Sequence, residues 1–313
     1  MKPDVLVLSS LRPDQMADLA TRYTLHRYDL AQDKAALIAE VGPRCTAIVT
    51  VGHVSLDADL IGSLPTLRVV ACVSAGYESI DVEALNRRGV KLTTTSEMLS
   101  DDVADMALML LLAVRRGLVA GDAWVRSGEW GRTGPMPLQS ALRGKKLGIV
   151  GMGKIGQAII GRARATGLET AYFSRTRKPE IDLPFVPDLL SLAHWADILI
   201  VIVAGGSGTR GLVSEAVIRA LGPDGTLINV ARGSVIDETA LLAALKDGGL
   251  GSAGLDVFDN EPNPDPAFAT LPNVVLSPHH ASGTVETRTA MAQNVVDNID
   301  AHFAGRPLLS AVN

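Results

Sequence analysis

The sequence predicts an α/β protein made of two doubly wound parallel-sheet domains. Three observations carry that expectation: apolar runs of strand length alternate with helical segments, the alternation falls into two series, and a long apolar helix stands between them. At 313 residues, with 47% hydrophobic and 20% charged residues, the chain has material for two cores and no composition that signals disorder.

In the first series Val5–Leu8, Ala47–Val51, Val69–Val73 and Lys91–Thr94 read as strands, with helices such as Pro13–Tyr23 and Asp81–Arg88 between them. The helix between the series is expected over Ser100–Arg116. Ser100 is its N-cap, Asp101, Asp102 and Asp105 complement the positive end of its dipole, and Arg115 and Arg116 complement the negative end. Its apolar run, Met106 to Val114, is far short of the roughly 20 residues that cross a membrane. The second series has strands at Leu147–Val150, Thr170–Phe173, Ile198–Val203, Thr226–Val230, Ser252–Val257 and Asn273–Leu276. The most irregular stretch is Gly128–Leu142. The last helix, Thr284–Phe303, has Met291, Val295, Ile299 and Phe303 on one face and stops at Gly305 before Pro307. It returns to the first domain, so one domain takes 1–99 with 283–313 and the other, 100–282, is inserted in it.

Charge and cysteine content narrow the function. A formal net charge of −5 argues against a nucleic-acid or anionic-membrane surface. The N-terminal apolar run is too short for a signal peptide and reads as a first strand. Cys45 and Cys72 each lie in or beside an apolar strand, which suits buried, reduced thiols in the cytoplasm and neither a disulfide nor a metal site.

The most specific signal follows the first strand of the second series. Gly151-Met152-Gly153-Lys154-Ile155-Gly156 comes directly after Leu147–Val150 and opens a helix with Ile155, Ala158, Ile159, Ala163 and Ala165 on its apolar face. The glycines serve a tight turn, close approach of backbone to a pyrophosphate, and close helix-to-strand packing, with the helix N-terminus aimed at the phosphates. This predicts a Rossmann cofactor domain with Gly151, Gly153, Lys154, Ile155 and Gly156 as cofactor contacts. One strand later, where a carboxylate would hold the ribose of NAD, the chain reads Ser174-Arg175-Thr176-Arg177, with no acid between Glu169 and Glu180. A guanidinium and two hydroxyls suit a 2'-phosphate, so the cofactor is expected to be NADPH, held by Ser174, Arg175 and Thr176.

Ligands of open parallel sheets bind beyond the carboxyl ends of the strands. Three such ends carry an arginine, an acid and a histidine: Arg232 after Leu227–Ala231, Glu261 after Gly254–Phe258, and His279 after Val274–Pro278. Arg232 can bind a carboxylate and polarise a keto oxygen, His279 can supply a proton, and Glu261 can orient that histidine. Val230, Ala231, Asp256 and Ser282 at these ends are assigned to cofactor binding, with holding the Arg232 loop or a purely structural role kept open for Asp256. Asp259 reads as structural. His280 follows His279 on what reads as extended backbone, so it should point away from the site.

These residues carry a resemblance. The chain resembles the D-isomer-specific 2-hydroxyacid dehydrogenases, and within them the NADPH-linked glyoxylate/hydroxypyruvate reductases and the similar plant-type hydroxyphenylpyruvate reductases. The likeness runs through Val73–Asp81, the Gly151 turn, Asn229–Gly233, Gly254–Pro262 and Ser277–His279, with Ser282–Arg288 and Gly305–Leu309 like the reductase subgroup. It departs at Ala204–Thr209, where many relatives have a proline-containing turn, and at His280, where relatives often have an apolar residue. The resemblance implies a flavodoxin-like substrate domain, catalysis by Arg232, Glu261 and His279, and a carboxylate cradle of backbone amides at Ser74, Ala75 and Gly76. Val51, Gly52, Arg232 and His279 also line the expected substrate site, with His53, Tyr77, Met98 and Leu99 in nearby loops setting its size. The expected reaction is NADPH-dependent reduction of a small 2-oxo acid, glyoxylate to glycolate or hydroxypyruvate to D-glycerate, with hydroxyphenylpyruvate reduction the alternative. It also implies a homodimer, with exposed apolar groups at Trp124–Leu142 and with Trp130 or Met136 near the partner's pocket. Corepressors that share this fold and bind a nicotinamide cofactor are the different class to weigh; the full Arg232, Glu261 and His279 set favours an enzyme.

Overall fold

The computed structural model describes residues 2–313, which divide into two compact units, 2–99 with 283–313 and 100–282. The first unit contains β1 (Asp4–Val7), α1 (Pro13–Arg22), β2 (Thr24–Arg27), α2 (Lys34–Val41), β3 (Ala47–Thr50), α3 (Ala58–Gly62), β4 (Val69–Cys72), α4 (Val82–Arg87) and β5 (Lys91–Thr93). Helix α5 (Ser96–Arg115) begins there and continues into the second unit. Next come α6 (Leu118–Arg126), α7 (Glu129–Thr133), β6 (Lys146–Val150), α8 (Lys154–Ala163), β7 (Glu169–Phe173), α9 (Leu189–Trp195) and β8 (Ile198–Val201). The chain continues through α10 (Glu215–Ala220), β9 (Thr226–Asn229), α11 (Glu238–Asp247), β10 (Ser252–Leu255) and β11 (Val274–Leu276), and ends with α12 (Val285–Phe303).

The first sheet is wholly parallel in the order β2-β1-β3-β4-β5, the flavodoxin-like order. Its central strands are continuous apolar runs because helices cover both faces. The core on one face joins Val5, Val7, Val49 and Ala71 to Ala292, Val295, Val296 and Ile299 of α12. Thr284 caps that helix, accepting the Thr287 N–H at 3.1 Å. Strand β2 was not legible in the sequence: Thr24-Leu25-His26-Arg27 holds one apolar residue, and at the sheet edge it pairs only with β1, where His26 meets Asp4 at 2.6 Å.

The second sheet is also wholly parallel, in the order β11-β10-β9-β8-β6-β7. Strand order reverses between β6 and β8, which places the ligand crevice of this doubly wound sheet at the end of β6. Gly151 turns there with φ +109. Helix α8 buries Gly156, Ile159, Ile160 and Ala163 but leaves Ala165 exposed, because a tighter turn over Arg164–Thr166 ends the helix at Gly167.

Three further expectations are corrected. Helix α5 starts at Ser96, a turn before Ser100, so Ser100 is buried within the helix and Asp101 and Asp105 ion-pair with Arg162 of α8. Met98 and Leu99 therefore lie on a helix and not in a loop, and Leu99 is buried. The stretch read as irregular contains α7.

Cys45 and Cys72 are buried, unpaired thiols; burial raises both, Cys45 to about 11. Among the described residues no helix is long and apolar enough to cross a membrane, and no cluster of His, Cys, Asp or Glu is arranged to hold a metal ion.

Candidate active site

Within the second unit the three chemical residues sit on loops that the sheet holds side by side. Strands β9, β10 and β11 are neighbours, and Arg232, Glu261 and His279 follow their carboxyl ends. The Arg232 loop is shaped by Asn229, which is 1% exposed: its side chain donates to the Arg232 carbonyl at 3.0 Å and accepts the Ala231 N–H at 3.0 Å. Gly233 then lies flat against the next loop. A Cβ there would meet the Phe258 carbonyl carbon at 1.8 Å and the Asp259 nitrogen at 2.0 Å. Arg232 is half-buried and donates to the Ala231 carbonyl at 2.6 Å.

Glu261 folds back on its own loop, one oxygen accepting the Phe258 N–H at 2.9 Å. The other oxygen lies 2.6 Å from Nδ1 of His279. A carboxylate at that distance fixes the ring's orientation and favours a proton on Nδ1, leaving Nε2 clear of the carboxylate.

His279 has φ +50, the one non-glycine residue with positive φ among the described residues. Asp256 holds it there. The Asp256 carbonyl accepts the His279 N–H at 2.7 Å, and its carboxylate accepts Ser277 Oγ at 2.5 Å, the His280 N–H at 2.9 Å and the Ala281 N–H at 3.0 Å. At 1% exposure, with both carboxylate oxygens engaged, Asp256 has its charge satisfied inside the protein. These bonds give Asp256 the anchoring of the histidine loop, the structural kind of role kept open for it. The left-handed turn also removes the premise used for His280, since the backbone there is not extended; His280 is exposed and its N–H is held by Asp256.

The other expected cofactor residues separate by what they leave open. Gly151 and Gly156 are required by packing: a Cβ on Gly151 would meet the Ile202 carbonyl oxygen at 2.5 Å, and one on Gly156 the Gly151 oxygen at 2.3 Å. Gly153 is different. A Cβ there would meet nothing within 4 Å, so bare backbone is open to solvent at the N-terminus of α8, where the helix dipole suits a pyrophosphate. Lys154 is exposed and Ile155 half-buried at the start of that helix. Beyond β7, Arg175 and Arg177 are exposed and have no hydrogen bond or ion pair to a described residue, while Ser174 donates to the Thr176 carbonyl at 2.7 Å. Val230 and Ala231 are buried with their N–H groups bonded to Val201 and Asn229, and the Ala231 carbonyl accepts from the Arg232 guanidinium. Ser282 is half-buried at the end of the unit.

The first unit brings together Gly52 and the Ser74–Gly76 turn. Gly52 donates its N–H to Ser74 Oγ at 2.9 Å, and a Cβ on Gly52 would lie 1.7 Å from the Gly76 oxygen. Ser74 Oγ donates to the Gly76 carbonyl at 2.6 Å and lies 3.1 Å from Cys72 Sγ. The Gly52 amide and the Ser74 side chain thus build the turn, while the Ala75 and Gly76 N–H groups donate to nothing among the described residues. Val51 and Tyr77 are half-buried and His53 is exposed beside it. Asn229 and Ser277 had no assigned role from sequence; a polar residue closing an otherwise apolar strand is the signal that each carried.

Comparison with known proteins agrees with this arrangement. Residues 108–281 match the family model described as D-isomer specific 2-hydroxyacid dehydrogenase, NAD binding domain. The chain is 43% identical over 311 residues to 2-ketogluconate reductase of Gluconobacter oxydans, covering 99% of both chains. It is 42% identical over 295 residues to a glyoxylate/hydroxypyruvate reductase A of Arabidopsis thaliana, covering 94% of both. The structure of an NADPH-dependent glyoxylate/hydroxypyruvate reductase from Sinorhizobium meliloti, in complex with NADP and malonate, superposes with a TM-score of 0.91 at 39% identity, covering 100% of this chain and 97% of that one. Two parallel-sheet units, a glycine turn shaped for a dinucleotide and a carboxylate-held histidine beside an arginine loop thus place the chain in the D-isomer specific 2-hydroxyacid dehydrogenase family, oxidoreductases acting on 2-hydroxy acids.

Proposed function

We propose that this protein is an NADPH-dependent reductase of small 2-oxo acids, converting glyoxylate to glycolate and hydroxypyruvate to D-glycerate. The observation that carries the reading is the 2.6 Å contact between Glu261 and Nδ1 of His279: with Nδ1–H held by the carboxylate, the imidazolium form of the ring gives its Nε2 proton to the carbonyl oxygen as hydride arrives and is left neutral, still protonated on Nδ1. Arg232 binds the substrate carboxylate and polarises its keto oxygen. In the first unit, the N–H groups of Ala75 and Gly76, in a turn set by Gly52 and Ser74, are suited to receive a carboxylate. When bound, the reduced nicotinamide supplies the hydride. Gly151, Gly153 and Gly156 position it through the pyrophosphate, with Lys154, Ile155, Val230, Ala231 and Ser282 around it.

Selection of NADPH rests on Arg175, supported by Ser174 and Thr176, because an unpaired guanidinium at the end of β7 has a 2'-phosphate as its natural partner. A homodimer in the cytoplasm completes the reading, supported by exposed apolar groups near α6 and α7 and by the two unpaired thiols. Larger 2-oxo acids are the second reading, because the relative at 43% identity is a 2-ketogluconate reductase. Initial rates with glyoxylate, hydroxypyruvate, hydroxyphenylpyruvate and 2-ketogluconate, each with NADPH and NADH, test both. The proposal requires the highest specificity constants for the two small acids with NADPH; a far higher value for either larger acid overturns it.

A further inference from the structure

The geometry assigns Glu238 a positioning role: its carboxylate ties the Arg232 loop to the Glu261 loop and so fixes the spacing of the substrate-binding cation and the acid that protonates the product. This rests on the functional roles proposed above for Arg232, Glu261 and His279.

The chain runs from Arg232 through a tight turn, Gly233–Val235, to Asp237, whose side chain accepts the Ala240 N–H at 3.0 Å and starts α11. Glu238 is the first residue of that helix. Its side chain turns away from the helix and accepts the Asp259 N–H at 2.7 Å, while the preceding N–H, that of Phe258, goes to Glu261 at 2.9 Å. Two successive amides of one loop are thus held by two carboxylates, one belonging to the loop and one reaching in from the Arg232 side. Gly233 lies against the same Phe258–Asp259 peptide, so the contact is a clasp at the point where the loops touch.

The carboxylate is not placed there for electrostatic ease. Asp259, Asp265 and Glu261 surround it, Asp237 precedes it, and the nearby cation Arg210 lies beside Asp259 at 3.3 Å. Burial, then these like charges, raise the Glu238 carboxyl above the usual range, against the lowering effect of the Asp259 N–H. A group kept in acidic company while accepting one backbone hydrogen is better explained by that hydrogen bond than by its charge. Glu238 also forms part of the wall of a cavity of about 610 Å³, so shortening it empties no packed core.

A helix-dipole role is the structural alternative, and variants separate the two. Glu238→Gln removes the charge and keeps an acceptor oxygen; Glu238→Asp keeps the charge at the helix start and withdraws the oxygen by one methylene. The measurements are kcat and KM with NADPH and glyoxylate, NADPH affinity by fluorescence titration, and melting temperature, with His279→Ala as the reference. Glu238→Asp and Glu238→Ala should lower kcat about ten-fold with NADPH affinity held within about two-fold, whereas Glu238→Gln stays within about three-fold of the parent. Parent-like kcat in Glu238→Asp, or a loss in Glu238→Gln as large as in Glu238→Ala, overturns the clasp. His279→Ala should lose about 100-fold or more in turnover; if it does not, the functional reading itself fails and the clasp falls with it.

Discussion

Arg175 shows how much a single side chain can decide. It stands exposed at the end of β7 with no partner among the described residues, on the edge strand next to the glycine turn. A charge-assisted hydrogen bond to a 2'-phosphate contributes roughly 1.5 to 3 kcal/mol, or about 10- to 100-fold in affinity. Arg175→Ala should therefore weaken NADPH by that factor and leave NADH nearly unchanged, measured as dissociation constants for both cofactors by fluorescence titration. Equal weakening of both would move selectivity to Ser174, Thr176 or Arg177. At this scale the sequence exposes groups that face outward, because a strand end limits where they stand. It hides partners. Arg232, Glu261 and His279 were legible as strand-end residues, but nothing in the residue order shows that Asp256 serves the histidine loop, since that depends on which backbone N–H groups converge on it in space.

Gly233 carries the argument at the level of elements. It follows the Arg232 strand end directly, and its missing side chain lets two loops touch at backbone distance. Gly233→Ala should push the Arg232 and Glu261 loops apart. We expect kcat/KM to fall on the order of 100-fold and stability to drop by about 1–3 kcal/mol, read by steady-state kinetics and chemical denaturation. Gly153, whose added Cβ would meet open space, should fold normally when substituted. Helices and strands were legible to different depths. Buried central strands announce themselves as apolar runs, whereas β2 does not, because an edge strand makes fewer demands on its side chains. The start of α5 lies a turn earlier because a cap-type residue at Ser100 does not by itself stop a helix, and Asp101 and Asp105, no longer at its first turn, pair with Arg162.

For the molecule as a whole, the two parallel sheets were legible in the alternation of strands and helices, which makes crossover connections the economical topology. Surface association was legible only as an excess of apolar groups. Leu118, Val119, Val125, Trp130 and Leu138 are all exposed, Leu138 at 99%, in the stretch that includes α6 and α7. Met136 is not part of that excess, since its side chain packs over Gly117 and Gly121 of its own chain. So many exposed apolar side chains in one short stretch favour self-association, and static light scattering should give twice the 32.9 kDa chain mass. A monomer mass at working concentration would remove the proposed dimer.

The left-handed backbone at His279 has a further consequence, for evolution. A side chain with a Cβ costs about 1–3 kcal/mol in such a conformation, where glycine costs little. The residue assigned the proton is thus one that folding alone would discard. Stability and turnover select opposite residues at this position, and the three hydrogen atoms that Asp256 gathers from Ser277, His280 and Ala281 are what let the chain keep the reactive one.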